Sequence, residues 1–169
     1  EGGLMPKDVA TSSGVISYKK SLGGELTPAL SLSDADFVTV DLNRVPIDDY
    51  YPIYTPAGEK GVISAVISGA FTGSNSIVEV DYYYHEVDYS TFETYPLRGV
   101  KSAWKMVQAG EGYIASGQNL ERAVIRSVEL AYFDDFEYQP FLQPIYVFKG
   151  DDNFLAYVSA IHPNYLERE

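Results

Sequence analysis

The sequence predicts an α+β fold: an antiparallel β-sheet packed by one main helix and preceded by a β-rich N-terminal lobe. Three observations predict it. Val100, Ala103, Trp104 and Val107 follow the i, i+3, i+4, i+7 spacing of a helix with one apolar stripe. The later segments 124–133, 142–148 and 154–161 are apolar and β-branched or aromatic in the manner of strands. Lys149-Gly150-Asp151-Asp152-Asn153, between the last two, is a polar turn of the kind that closes an antiparallel hairpin. A lone short helix beside such strands is stable only when it lies on the sheet.

Taken in order, residues 1–33 are rich in Gly, Ser, Thr and Pro and predict an irregular N-terminal arm, with 14–18 as a possible edge strand. A β-rich lobe is expected over 34–92. Phe37, Val38 and Val40 begin a strand, and 43–54 is a loop punctuated by Pro46, Asp48, Asp49 and Pro52. Residues 61–71 alternate as a strand, and Thr72-Gly73-Ser74-Asn75 turns the chain back. The longest strand is expected over 76–89, with Val78, Val80, Tyr82 and Tyr84 toward the core and Glu79, Asp81, Tyr83 and His85 on the outer face.

Residues 93–169 form the helix-plus-sheet lobe. The helix is expected over 97–109, with Gly99 as N-cap and Gly110 as the left-handed residue past its C-terminus. Trp104 points to the sheet and reads as core. Val124, Arg126, Val128, Leu130 and Tyr132 alternate against Ile125, Ser127, Glu129, Ala131 and Phe133 in the first strand after the helix.

Composition narrows the function classes. The chain has 169 residues, 46% apolar and 14% aromatic, enough for a real core. A formal charge of −12 argues against nucleic acid or an anionic membrane surface as partner, because both need a basic footprint. Without cysteine there is no disulfide, no thiolate catalysis and no sulfur-ligated zinc. Fifteen Tyr among abundant Gly, Ser and Thr favour an extracytoplasmic β-rich protein over a cytosolic enzyme. The chain begins at Glu1 and contains no apolar run of membrane-spanning length, so any anchor is expected upstream of Glu1.

Five segments in fixed order carry a resemblance: Val100-Lys101-Ser102-Ala103-Trp104, then Gly110-Glu111-Gly112-Tyr113-Ile114, then Val128-Glu129-Leu130-Ala131-Tyr132, then Leu142-Gln143-Pro144-Ile145-Tyr146-Val147-Phe148 and Ala156-Tyr157-Val158. Together they resemble the PepSY-like fold family, and more closely the extracytoplasmic domains of YycH/YycI-type regulators, over residues 77–162. Lys101 and Ser102 stand where that family often carries acidic residues. The resemblance implies a strand–helix–strand–strand–strand unit in a non-catalytic regulatory domain, held at the cell envelope by a membrane anchor. It further implies contact with a protein partner such as a membrane sensor or envelope protein, with no cofactor. A small-ligand or cell-wall glycan binding module is the alternative expectation, and a hydrolase a third.

Candidate sites are sparse. His85 and His162 are too few for a histidine metal site without distant carboxylates. Asp134-Asp135 with Glu137, and Asp151-Asp152 with Asn153, lack the alternating ligand layout of an EF-hand and read as solvated turns. No G-x-S-x-G elbow or phosphate-binding glycine loop is present. Tyr83 and His85 are the expected partner-binding residues, because tyrosine offers a large contact area at low entropy cost. No metal-ligating and no catalytic residue is assigned.

Overall fold

A computed structural model describes residues 6–58, 60–69 and 76–166, with the side chains of 11–13 excepted. The chain divides into two compact units, the first from residues 1–45 and 59–84, the second from 46–58 and 85–169. The fold is α+β: two mainly antiparallel five-stranded sheets and, among the described residues, one α-helix. The chain enters the second unit at Pro46, returns to the first after Gly58, and leaves it again after Tyr84. The division therefore differs from the expected boundaries after residues 33 and 92.

The first unit is built on β1 (Val9–Leu22), β2 (Glu25–Pro28), β3 (Phe37–Arg44), β5 (Ile63–Ser68) and β6 (Ile77–Tyr82), in the order β2-β1-β3-β5-β6. The irregular arm expected over 1–33 is corrected by β1, the longest strand of the unit, which pairs with β3 from Val9↔Arg44 to Lys19↔Phe37. Gly23 and Gly24 form the turn that folds β2 back, with φ of 64° and 90°. Positive φ at both central residues is the backbone twist that a two-residue hairpin requires.

The core of this unit gathers Val9, Val62 and Ile63 with Leu42 and Tyr84. Arg44 is buried beside it, its guanidinium 2.5 Å from Asp8 Oδ2 and stacked 4.5 Å from the Tyr84 ring centre. The strand expected over 76–89 ends at Tyr82. Its supposed core residues Val78, Val80 and Tyr82 are 49%, 57% and 51% exposed, because β6 is an edge strand with β5 as its one neighbour in the sheet. Of that set Tyr84 alone reaches the core cluster. The turn at 72–75 lies outside the described residues.

In the second unit β4 (Ile53–Tyr54), α1 (Val100–Gln108), β7 (Tyr113–Ser116), β8 (Ile125–Phe133), β9 (Gln143–Gly150) and β10 (Leu155–Ser159) form a helix on a sheet of order β4-β8-β9-β10-β7. Gly99 is the N-cap and Gly110, at φ 74°, follows the C-cap Ala109. The hairpin β9–β10 turns through Asp152 and Asn153, both left-handed at φ 54° and 57°. Two details depart from the expected strand–helix–strand–strand–strand order. The chain before the helix contributes a single bridge, Leu97↔Ile161, and the strand after it, β7, pairs at the far edge with β10.

Both faces of this sheet are filled. Toward the helix, Ala103 packs with Tyr146, Phe148, Ala156 and Val158. On the other face Ala131, Ile145, Val147, Leu155 and Tyr157 form a second cluster with Tyr54 and Phe133. Residues 46–58 reach across that second face. The Tyr157 hydroxyl donates to Thr55 O at 3.3 Å and the Tyr113 hydroxyl to Pro56 O at 3.0 Å, so two tyrosines of neighbouring strands hold the segment.

Candidate functional site

Between α1 and β8 the second unit opens a groove of about 360 Å³. Val100, Lys101 and Trp104 come from the helix, residues 125–128 from the strand, and Phe148 from β9. The helix runs over the middle of the sheet, so β8 at one side keeps Val128 40% exposed. Trp104 packs against the core beneath the helix as expected and is half-buried there, its ring 5.8 Å from Phe148 and inclined by 31°. Its helical spacing fixed the direction of the side chain but carried no information on how far the sheet extends beneath it.

Lys101 and Arg126 stand at the rim of this apolar trough. Arg126 makes a bidentate ion pair with Asp151, Nε at 2.7 Å and Nη2 at 2.5 Å, and this hydrogen bonding holds the Asp151 carboxyl below the usual carboxylate range. The acidic turn read as solvated is thus tied to the strand that borders the groove. Although Asp151 offsets the charge of Arg126, the segment 97–127 carries Arg98, Lys101, Lys105, Arg122 and Arg126 against Glu111 and Glu121. All of these except Arg98 are exposed.

Among the described residues, the strand bordering the groove has a neighbour on its outer side only at its end, where β4 pairs with it. Tyr132 N–H donates to Pro52 O and Asp134 N–H to Tyr54 O, both at 2.9 Å, so the even-numbered residues of β8 direct their backbone groups away from β9. The register with β9 is regular from Ser127 to Phe133, which extends this alternation to Leu130 and Val128. β4 covers just Tyr132 and Phe133, and Pro52 lacks the N–H needed to continue the ladder. Among the described residues no backbone bond is made to the outward groups of Val128 and Leu130.

Tyr83 and His85 fall on either side of the division between the two units, which lies after Tyr84. The single strand face expected to carry both ends before either. Tyr83 is half-buried, with Lys60 Nζ 5.3 Å from its ring centre and that lysine paired with Asp81. His85 is half-buried in its own unit, Nε2 3.4 Å from Phe136 O and its ring set edge-on against Tyr138. Asp135 accepts from Glu137 N–H within its turn, Asp134 is buried, and no trio of metal-ligating side chains occurs among the described residues.

On the opposite face Tyr54, Glu129 and Lys149 form a polar cluster. The Tyr54 hydroxyl donates to Glu129 Oε1 at 2.6 Å and Lys149 Nζ approaches the same oxygen at 2.8 Å. Burial, and then the bond to Glu129, push the Tyr54 hydroxyl above its ordinary pKa of 10.0. A raised folded-state pKa means that the stabilisation is complete below the unfolded value and is lost as pH rises through the folded one. Tyr54→Phe should cost about 1–2 kcal/mol at pH 7, since it deletes a hydrogen bond to a charged acceptor. It should also flatten the decline in stability above pH 10. Urea unfolding at pH 7 and at alkaline pH, followed by the fluorescence of the single Trp, measures both effects; an unchanged alkaline decline would show that Tyr54 does not contribute to it.

The groove and the outer edge of β8 lie side by side on the helix-and-sheet unit, with Lys101 and Arg126 among the residues that line the groove. Compared with family models, with curated proteins and with solved structures, the chain gives no match. Sequence reading passed over Lys101, Arg126 and Val128 as site residues. The available signal was the helix itself, which carries two lysines and no acid in a chain of formal charge −12.

Proposed function

We propose that this chain is a non-catalytic interaction and regulatory domain of a membrane-anchored protein, working at the cell envelope through contact with a protein partner. The observation that carries the reading is the open apolar groove of α1 and β8, with Trp104 half-buried over Phe148 and cations at its rim. A lining of this composition binds through contact area and charge. The PepSY-like resemblance supports the same reading. Its segments fall on α1, on the Val128-Glu129-Leu130-Ala131-Tyr132 run of β8, and on the paired strands β9 and β10. The partner surface is the groove, in place of the Tyr83 and His85 face expected from the sequence.

The test is photo-crosslinking in cells that make the full-length protein, with p-benzoylphenylalanine replacing Val128 or, as a control, Lys20. A discrete adduct with an envelope protein from position 128, absent from position 20 and lost on Lys101→Glu, is expected. No adduct from position 128, or equal labelling from both positions, would contradict the reading. A rise in Tm with muropeptides that Trp104→Phe abolishes would favour the alternative, a glycan-binding module, which the aromatic wall of the groove also suits.

A further inference from the structure

We infer that Met106 is an oxidation site whose sulfoxide is held by Arg98, so that peroxide strengthens the helix-and-sheet unit instead of loosening it. Arg98 is 6% exposed, and among the described residues no carboxylate pairs with it. Its backbone is fixed: the N–H donates to Ala160 O at 2.7 Å, and the carbonyl accepts from the Tyr146 hydroxyl at 2.7 Å. These two bonds seat the residue against β9 and the end of β10. Inside, Nη1 donates to the Met106 sulfur, and Nε has no partner. A guanidinium taken out of water requires strong acceptors, and a thioether is a weak one. The groove beside β8 does not include Arg98, so the acceptor nearest to hand is Met106 itself.

Met106 lies in the C-terminal half of α1, half-buried and packed against the cluster of Ala103, Tyr146 and Val158. Hydrogen peroxide supplies the oxygen. A sulfur lone pair attacks one peroxide oxygen, the O–O bond breaks as the S–O bond forms, and the departing hydroxide takes up the remaining proton to leave water. Sulfur is oxidised by an electron pair and peroxide is reduced by it. The product carries a polar oxygen where a weak sulfur acceptor stood, and beside Arg98 that oxygen receives a charge-assisted hydrogen bond. A sulfoxide in a core ordinarily disrupts packing, because its oxygen is buried without a donor. Here the donor is in place before the reaction.

The test uses the whole chain with Met5→Leu, which leaves Met106 as its one thioether. Dilute hydrogen peroxide is added, the added oxygen is located by the mass of proteolytic fragments, and Tm is read from Trp104 emission. Oxidation is expected to raise Tm by about 3 °C or more, since a hydrogen bond to a charged donor replaces a weak contact. Treatment with both methionine sulfoxide reductases should reverse the rise. With Arg98→Leu, which removes an unpaired charge from the interior and is expected to fold, the same oxidation should lower Tm by a similar amount. Met106→Gln sets an amide oxygen at the same position without any oxidant. It should raise Tm in the presence of Arg98 and lower it together with Arg98→Leu. An equal change of Tm with and without Arg98→Leu, or a Met106 that peroxide leaves unoxidised in the folded chain, overturns the inference.

Discussion

Phe148→Ala is expected to destabilise the helix-and-sheet unit by about 3–5 kcal/mol, the range for emptying an aromatic site in a packed core. Phe148 is 2% exposed and sits centrally in the sheet, between Val128 of β8 and Ala156 of β10. Its ring joins the cluster beneath the helix and is the surface on which Trp104 rests. Removing it loses contact with both the strands and the helix. Because Phe148 also lines the open groove, water can enter part of the vacated space, which places the expected cost in the lower half of that range. Trp104 lies in this unit and is the chain's single Trp, so urea unfolding followed by its emission reports on this unit. The folded variant should also show red-shifted emission. A loss below 1 kcal/mol would mean that the helix is not held through the Trp104–Phe148 contact.

Gly61→Ala is the second substitution with a large expected effect, and it acts on the first unit. A Cβ at Gly61 would lie 2.6 Å from both the N and the C of Leu42, a collision with backbone that no change of rotamer relieves. Leu42 pairs with Ile63, so β3 and β5 would have to separate at that end of the ladder. The Gly61 N–H, 3.3 Å from Asp41 Oδ1, would move with them. About 3–4 kcal/mol of stability should be lost. Gly69→Ala serves as the control: its added Cβ would come no nearer than 3.9 Å to Asp36 O, and its cost should stay within about 0.5 kcal/mol. Hydrogen exchange at the Leu42 and Ile63 amides distinguishes the two, and equal protection in both variants would show that the close approach at Gly61 is not structural.

The second unit was largely legible because its signals are local. Gly99 and Gly110 mark the ends of α1 through the backbone conformations they permit, and the polar turn before Phe154 could close only a hairpin. The first unit was less so. β1 contains Gly14 and a polar stretch at 11–13, and its register shifts between Ala10 and Val15, so its alternation is interrupted where a reader looks for it. Gly23-Gly24 lies in the Gly-rich stretch read as irregular, and it forms the turn between β1 and β2. β4, with two residues paired in parallel to β8, has no period of its own, and its place depends on Tyr54 meeting Glu129 and Lys149.

Period-2 alternation over 76–89 marked extended backbone, whereas a strand requires a partner, and pairing with β5 ends at Tyr82. The candidate surface on Tyr83 and His85 shared that weakness. For the groove, helical spacing set the direction of Trp104, but the exposure of Val128 follows from where the helix crosses the sheet. Sequence periodicity does not encode that crossing.

Photo-crosslinking from position 128 of the full-length protein tests the central claim most directly. The proposed interaction at the groove predicts a discrete envelope-protein adduct from position 128 that Lys101→Glu removes, with none from positions 78 and 80 on the exposed edge strand β6. Adducts from positions 78 and 80 in place of 128, or none from position 128, would contradict it.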